Sequence, residues 1–149
     1  MTTRPPLEKN LPHALIFAGA LPFIAGAGLL LLGVSTLPLL GNVNEATAAY
    51  GLVITVFLTG IHWGQQLSLG HAASGLFVSS NIIAVMVWLC WLMMTPGLFM
   101  VVLAVPLAAL LCIDFMLNRN RVIDKDYFRS RVIITTIVIC CLVVASASS

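Results

Sequence analysis

Five apolar blocks, each close to 20 residues long, leave this chain few folds to choose from. They run at roughly 14–34, 47–67, 75–94, 97–117 and 132–147. At 1.5 Å rise per residue, a helix of about 20 residues matches a hydrocarbon core about 30 Å thick. The expected fold class is all-α, a polytopic membrane helix bundle with five transmembrane helices, and residues 1–149 form a single integral membrane domain. Composition agrees, with 60% apolar and 8% charged residues against about 25% charged in soluble domains. The net charge of +2 is too small for a nucleic-acid partner, which needs clustered Lys and Arg on a folded surface.

Arg4 and Lys9 precede the first block, as they would in a cleaved signal peptide. The run from Ala14 to Val34 exceeds the roughly 7–15 residues of a signal h-region, and no polar domain follows it, so a retained first helix is expected. No Arg- and Ser-rich, acidic-poor leader argues for organellar import. Cys90, Cys112, Cys140 and Cys141 all lie within the blocks. They lack the C-x-x-C or Cys/His spacing of a metal or redox site and read as buried free thiols.

Basic residues set the orientation, because short loops rich in Lys and Arg stay cytoplasmic. With five helices, the N-terminus and loops 68–74 and 118–131 share one side. All seven basic residues fall there: Arg4, Lys9, Arg119, Arg121, Lys125, Arg129 and Arg131. The other side carries Glu45. The N-terminus is therefore expected to be cytoplasmic and the C-terminus outside, in the inner membrane of a bacterial cell. Such asymmetry argues against dual topology.

Pro22 in the first helix and Pro106 in the middle of the fourth predict kinks. Gly19, Gly26 and Gly33 recur every seven residues and keep one face of the first helix small. Gly60 and Gly64 have the G-x-x-x-G spacing that lets helices approach closely. Packing within one bundle is the plain expectation for these glycines, and a homodimer seam the sharper one. Short connections at 68–74 and 95–96 favour antiparallel neighbours for helices 2–3 and 3–4.

At 100° per residue, Thr55, Thr59, His62 and Gln66 fall within an arc of about 60° on the second helix. Unpaired polar groups in hydrocarbon cost several kcal/mol, so this stripe should face the bundle interior. His62 sits roughly 7–8 Å from the cytoplasmic end of its helix. Asp114 lies at a similar depth in the fourth helix. Asn81 near the start of the third, His13 near the start of the first, and Arg129 and Arg131 at the start of the fifth share that level. A carboxylate within a span is expensive and is usually paired or functional. Arg131, Arg129 or His62 would lower the penalty for Asp114. The candidate polar or ligand site is thus His62, Gln66, Asp114, Asn81 and Arg131. It serves either as a clasp fixing helix register or as a ligand site. Trp63 and Tyr127 fall near one membrane interface and Trp91 near the other, where aromatic belts form.

Known catalytic patterns find no support. The three histidines are His13, His62 and His71. Only His13 with His62 could ligate a haem on depth, and no spacing requires it. No nucleophile elbow, H-E-x-x-H or P-loop occurs. Neither a cofactor nor a metal is therefore expected. The loop "NRNRVIDKDYFRSR", residues 118–131, sets topology and meets anionic headgroups at about 1 kcal/mol per basic residue near the surface. Docking of a protein is the competing role.

The stretch "AYGLVITVFLTGIHWG", residues 49–64, resembles the domain-of-unknown-function 3429 family, whose animal members are called transmembrane protein 69. Tyr50, Phe57, Leu58, Gly60, His62, Trp63 and Gly64 match a motif ending "SFLGGIHWG". "LPFIAG", residues 21–26, and "DYFRSRVIITTIV", residues 126–138, are similar to two further family segments. Thr59 stands where Gly is usual, Ser130 where Leu is usual, and the third block lacks a Pro. The resemblance implies a five-helix inner-membrane protein and carries over no catalytic role.

The function expected from these features is that of a small non-enzymatic membrane protein, an accessory or assembly subunit of a membrane complex. Its partners would be the bilayer, a protein at loop 118–131 and, in the oligomeric alternative, a second copy. Two other readings use the His62/Asp114 region: a proton-coupled transporter, or a lipid- or quinone-binding membrane protein.

Overall fold

The computed structural model describes residues 14–69 and 75–148. Five helical stretches are long and apolar enough to cross a membrane: Ala14–Leu31, Val43–Leu67, Gly75–Met93, Pro96–Arg119 and Lys125–Ala147. The predicted five-helix bundle is thus present, with ends that differ from the hydropathy blocks for local reasons.

In the first span a turn at residues 19–20 precedes α1 (Leu21–Leu31), with Pro22 in its first turn, where a missing N–H does no harm. Gly33, at φ +76°, ends α1 three residues before the hydropathy block does. The Val34 N–H donates to Leu29 O and the Gly33 N–H to Leu30 O, the paired bonds of a Schellman stop. A two-residue antiparallel ribbon follows, with β1 (Thr36–Leu37) paired to β2 (Gly41–Asn42). Asn42 then caps α2 (Val43–Leu69): its Oδ1 accepts from the N–H groups of Asn44 at 2.9 Å and Glu45 at 3.3 Å. Side-chain capping of these first N–H groups starts the helix four residues before the hydropathy does.

α3 (Gly75–Met93) is unbroken, whereas the fourth span divides at Leu103 into α4 (Pro96–Val102) and α5 (Ala104–Arg119). The break lies just before Pro106, whose ring collides with the carbonyl four residues earlier, at Val102. α6 (Lys125–Ala147) begins seven residues before the expected block, so most of the predicted 118–131 loop is helical and only residues 120–124 connect α5 to α6.

The first, second, fourth and fifth spans form a ring, packed in the order first–second–fourth–fifth and back to the first. Across the ring, the second and fifth spans have only marginal backbone contact. α3 stands outside it and packs chiefly on α2, with only 11% of its residues buried. Ala20, Phe23, Phe99, Met100, Leu103, Leu110 and Leu142 fill the ring's core, each at most 1% exposed. The Phe23 and Tyr50 rings meet at 5.0 Å, and Trp91 meets Phe99 at 5.2 Å.

The packing glycines divide. A Cβ on Gly26 would run into the Thr47 side chain, so the first span approaches α2 there. Gly51, absent from the sequence-based set, is held as closely by Leu103 of the fourth span. Gly60 and Gly64 are both exposed, and among the described residues nothing lies within 4 Å of a Cβ added to either. The four thiols are free, but Cys112 and Cys140 are exposed rather than buried. In a bilayer, exposure outside the core means contact with lipid, which gives a weakly polar thiol no reason to turn inward.

Candidate functional site

The stripe on α2 turns into the bundle. Thr55, Thr59, His62 and Gln66 are all buried. Two of them are satisfied within their own helix: Thr55 Oγ1 donates to Gly51 O at 2.8 Å and Thr59 Oγ1 to Val56 O at 2.6 Å. His62 instead reaches across to the fourth span.

Asp114, on α5, stands between two nitrogen partners. His62 Nε2 lies 2.9 Å from its Oδ1, and Arg131 Nε donates to its Oδ2 at 2.9 Å. His62 and Asp114 are each 1% exposed and Arg131 6%. The carboxylate therefore links α2 to α6, two helices that hardly touch each other, through a helix adjacent to both. Asp114 Oδ2 accepts from the guanidinium, and Oδ1 and His62 Nε2 share one proton between them. His62 Nδ1 is buried without a hydrogen-bond partner among the described residues.

Helix periodicity explains how α6 supplies the cation. Because α6 starts at Lys125, Arg131 sits about 9 Å along it and projects into the ring, and Phe128, one turn earlier, meets Phe115 of α5 at 6.0 Å. Of the two arginines that could have paired with Asp114, only Arg131 does; Arg129 is exposed. Thr135 and Ile134, next on the same face, are also buried. Thr135 was recoverable from its four-residue spacing to Arg131.

Gln66 is buried one turn beyond His62 on the same stripe. Asn81 belongs elsewhere: it is exposed on α3 and its Nδ2 donates to Phe77 O at 2.7 Å, so its own helix satisfies it. Ser80, the preceding residue, is the buried polar group of α3. His13 and His71 lie outside the described residues, as does the His13/His62 pairing. Among the described residues no group of three His, Cys, Asp or Glu side chains is placed to hold a metal.

Beside the clasp, a cleft of about 460 Å³ runs between the first span, α2 and α6. Leu15 and Phe57, both exposed, frame its mouth, while Leu58, Leu107, Val138 and Arg131 are buried at its floor. Tyr127 lines it one turn before Arg131. Neither His62 nor Asp114 lines this cleft. Gly19 lies on its wall, and its carbonyl accepts a hydrogen bond from the Tyr50 hydroxyl at 3.1 Å.

No curated protein and no solved structure matches the chain. One family model does match, over residues 9–147, a range that contains the His62 motif, Asp114, Arg131 and all five spans. The chain therefore belongs to the family described as "Protein of unknown function (DUF3429)".

Proposed function

We propose that this is a non-enzymatic accessory or assembly subunit of a membrane complex in the bacterial inner membrane, meeting a protein partner at the charged corner between α5 and α6. The observation that carries the reading is the order of that corner. Arg121 holds φ +59°, a backbone conformation that side-chain-bearing residues seldom adopt. The turn is closed by Arg121 N–H to Asn118 O at 3.0 Å, Val122 N–H to Leu117 O at 2.9 Å, and Asn118 Nδ2 to Ile123 O at 3.2 Å. Arg119, Arg121, Lys125 and Arg129 are exposed around it. The paired bonds are a Schellman stop for α5 like the one at Gly33, but here an arginine holds the positive-φ position that glycine fills more easily, which keeps a cationic side chain at the corner. The corner is also mounted on the clasp, with Asp114 just before it and Arg131 just after.

The burial of His62 and Asp114, each 1% exposed and neither lining the cleft, supports this reading over a proton-coupled carrier, which would require water to reach both. The test is photo-crosslinking in cells from positions 119, 121, 125 and 129, joined to mass measurement of the complex extracted from native membrane. The expected result is a discrete protein adduct and a mass above that of one chain. A lone monomer with no protein adduct from any of the four positions would overturn the proposal.

A further inference from the structure

We infer that the cleft between the first span, α2 and α6 is a binding site for one acidic phospholipid, its acyl chain lying inside and its headgroup held by Arg131 and Tyr127. The inference is independent of the accessory role proposed above.

Shape supplies the first argument. The cleft is apolar along Ile54, Leu58, Leu107 and Val138, and its mouth lies between exposed Leu15 and Phe57. Both residues belong to membrane-spanning stretches, so the mouth faces hydrocarbon. A space of about 460 Å³ opening sideways into a bilayer suits an acyl chain.

Charge supplies the second. Arg131, 6% exposed, is a floor residue of the cleft as well as a partner of Asp114. Its bond to Asp114 uses Nε, and a guanidinium has further N–H donors with the planar geometry that phosphate oxygens accept. Tyr127 adds a phenol one turn nearer the helix start. Five basic residues at this end, Arg119, Arg121, Lys125, Arg129 and Arg131, outnumber Asp114, Asp124 and Asp126, which favours an anionic headgroup over a zwitterionic one. Asp114 also keeps Arg131 in place when the site is empty, so the cation does not have to be ordered by the lipid.

The test reconstitutes the full chain in vesicles containing a trace of phospholipid with a diazirine in its acyl chain, carried on either phosphatidylglycerol or phosphatidylcholine. Labelled peptides are then mapped. The phosphatidylglycerol probe is expected to label the peptides carrying Phe57, Leu107 and Val138 about five-fold more than the phosphatidylcholine probe. Because Arg131→Gln also disturbs the clasp, the deciding variant is Leu15→Trp with Phe57→Trp, which narrows the mouth at its two exposed residues and leaves the clasp intact. It should abolish the selective labelling at unchanged thermal stability. Equal labelling by the two probes, or selective labelling that survives the filled mouth, would overturn the inference and leave ordinary bilayer lipid, or an occupant indifferent to headgroup charge, in the cleft.

Discussion

Replacing Arg131 with leucine should destabilise the protein severely, and replacing Asp114 in the same chain should restore much of the loss. Arg131 and Asp114 are 6% and 1% exposed and share one 2.9 Å hydrogen bond. Arg131→Leu leaves Asp114 with His62 as its one partner of the two, and Asp114→Leu leaves a guanidinium buried without its anion. Breaking one half of a buried pair costs about 3–5 kcal/mol, whereas replacing both halves with apolar side chains is often close to neutral. The double variant still strands His62 Nε2, at about 1–3 kcal/mol. If the singles sum to about 6–10 kcal/mol and the double stays near 1–3, the coupling is at least about 3 kcal/mol. Polar contacts between membrane helices measure smaller than this, averaging about 0.6 kcal/mol, because the unfolded state in the membrane also finds partners. Even with that discount a coupling of about 1 kcal/mol should remain. Unfolding in mixed micelles at rising denaturing-detergent fraction, followed by tryptophan fluorescence, would give all four corners of the cycle. Additivity of the singles within about 0.5 kcal/mol would refute the pairing.

Gly26→Ala should lower stability by about 1–3 kcal/mol, because its methyl meets Thr47, whose hydroxyl is held on Val43 O at 2.7 Å. Thr47→Ala in the same chain should relieve most of that loss in a thermal melt. Gly60→Ala and Gly64→Ala should each raise stability by about 0.5–1 kcal/mol, since no described residue lies against either and alanine favours the helix; a fall in stability would show that something closes on them. At Arg121, glycine should be nearly neutral, its easier positive φ offset by a looser unfolded chain. Valine there should cost about 1 kcal/mol or more in the same melt.

What the sequence disclosed was whatever depends on spacing along one helix or on a penalty that any lipid environment imposes. The positions of Thr55, Thr59, His62 and Gln66 fixed a buried stripe because 3.6-residue periodicity leaves them no other common face. Asp114 stood out because an ionisable group in a span requires partners, and Pro106 located the break in the fourth span through the hydrogen bond it cannot make. Other features depend on three-dimensional neighbours. Asn81 shares the level of the clasp but returns its amide to Phe77 of its own helix, a choice that depth does not reveal. Gly60 and Gly64 keep the spacing of a close-packing face, yet spacing does not say whether any helix stands opposite. Helix ends were misplaced where Gly33 and Asn42 act, since a Schellman stop and an N-cap follow backbone geometry and not hydropathy. The cleft was hidden altogether, because it exists only where α2 and α6 stand apart across the ring.

At the centre of the site, Asp114 is held at once by His62 and Arg131. Solid-state NMR on protein in bilayers, with nitrogen-15 in the histidine and arginine side chains and carbon-13 in the aspartate carboxyls, measures it directly. Dephasing of the Asp114 carboxyl by both His62 Nε2 and Arg131 Nε, at strengths that fit two 2.9 Å N···O contacts, is the predicted result. Dephasing by neither nitrogen, or by only one of them, would contradict the clasp.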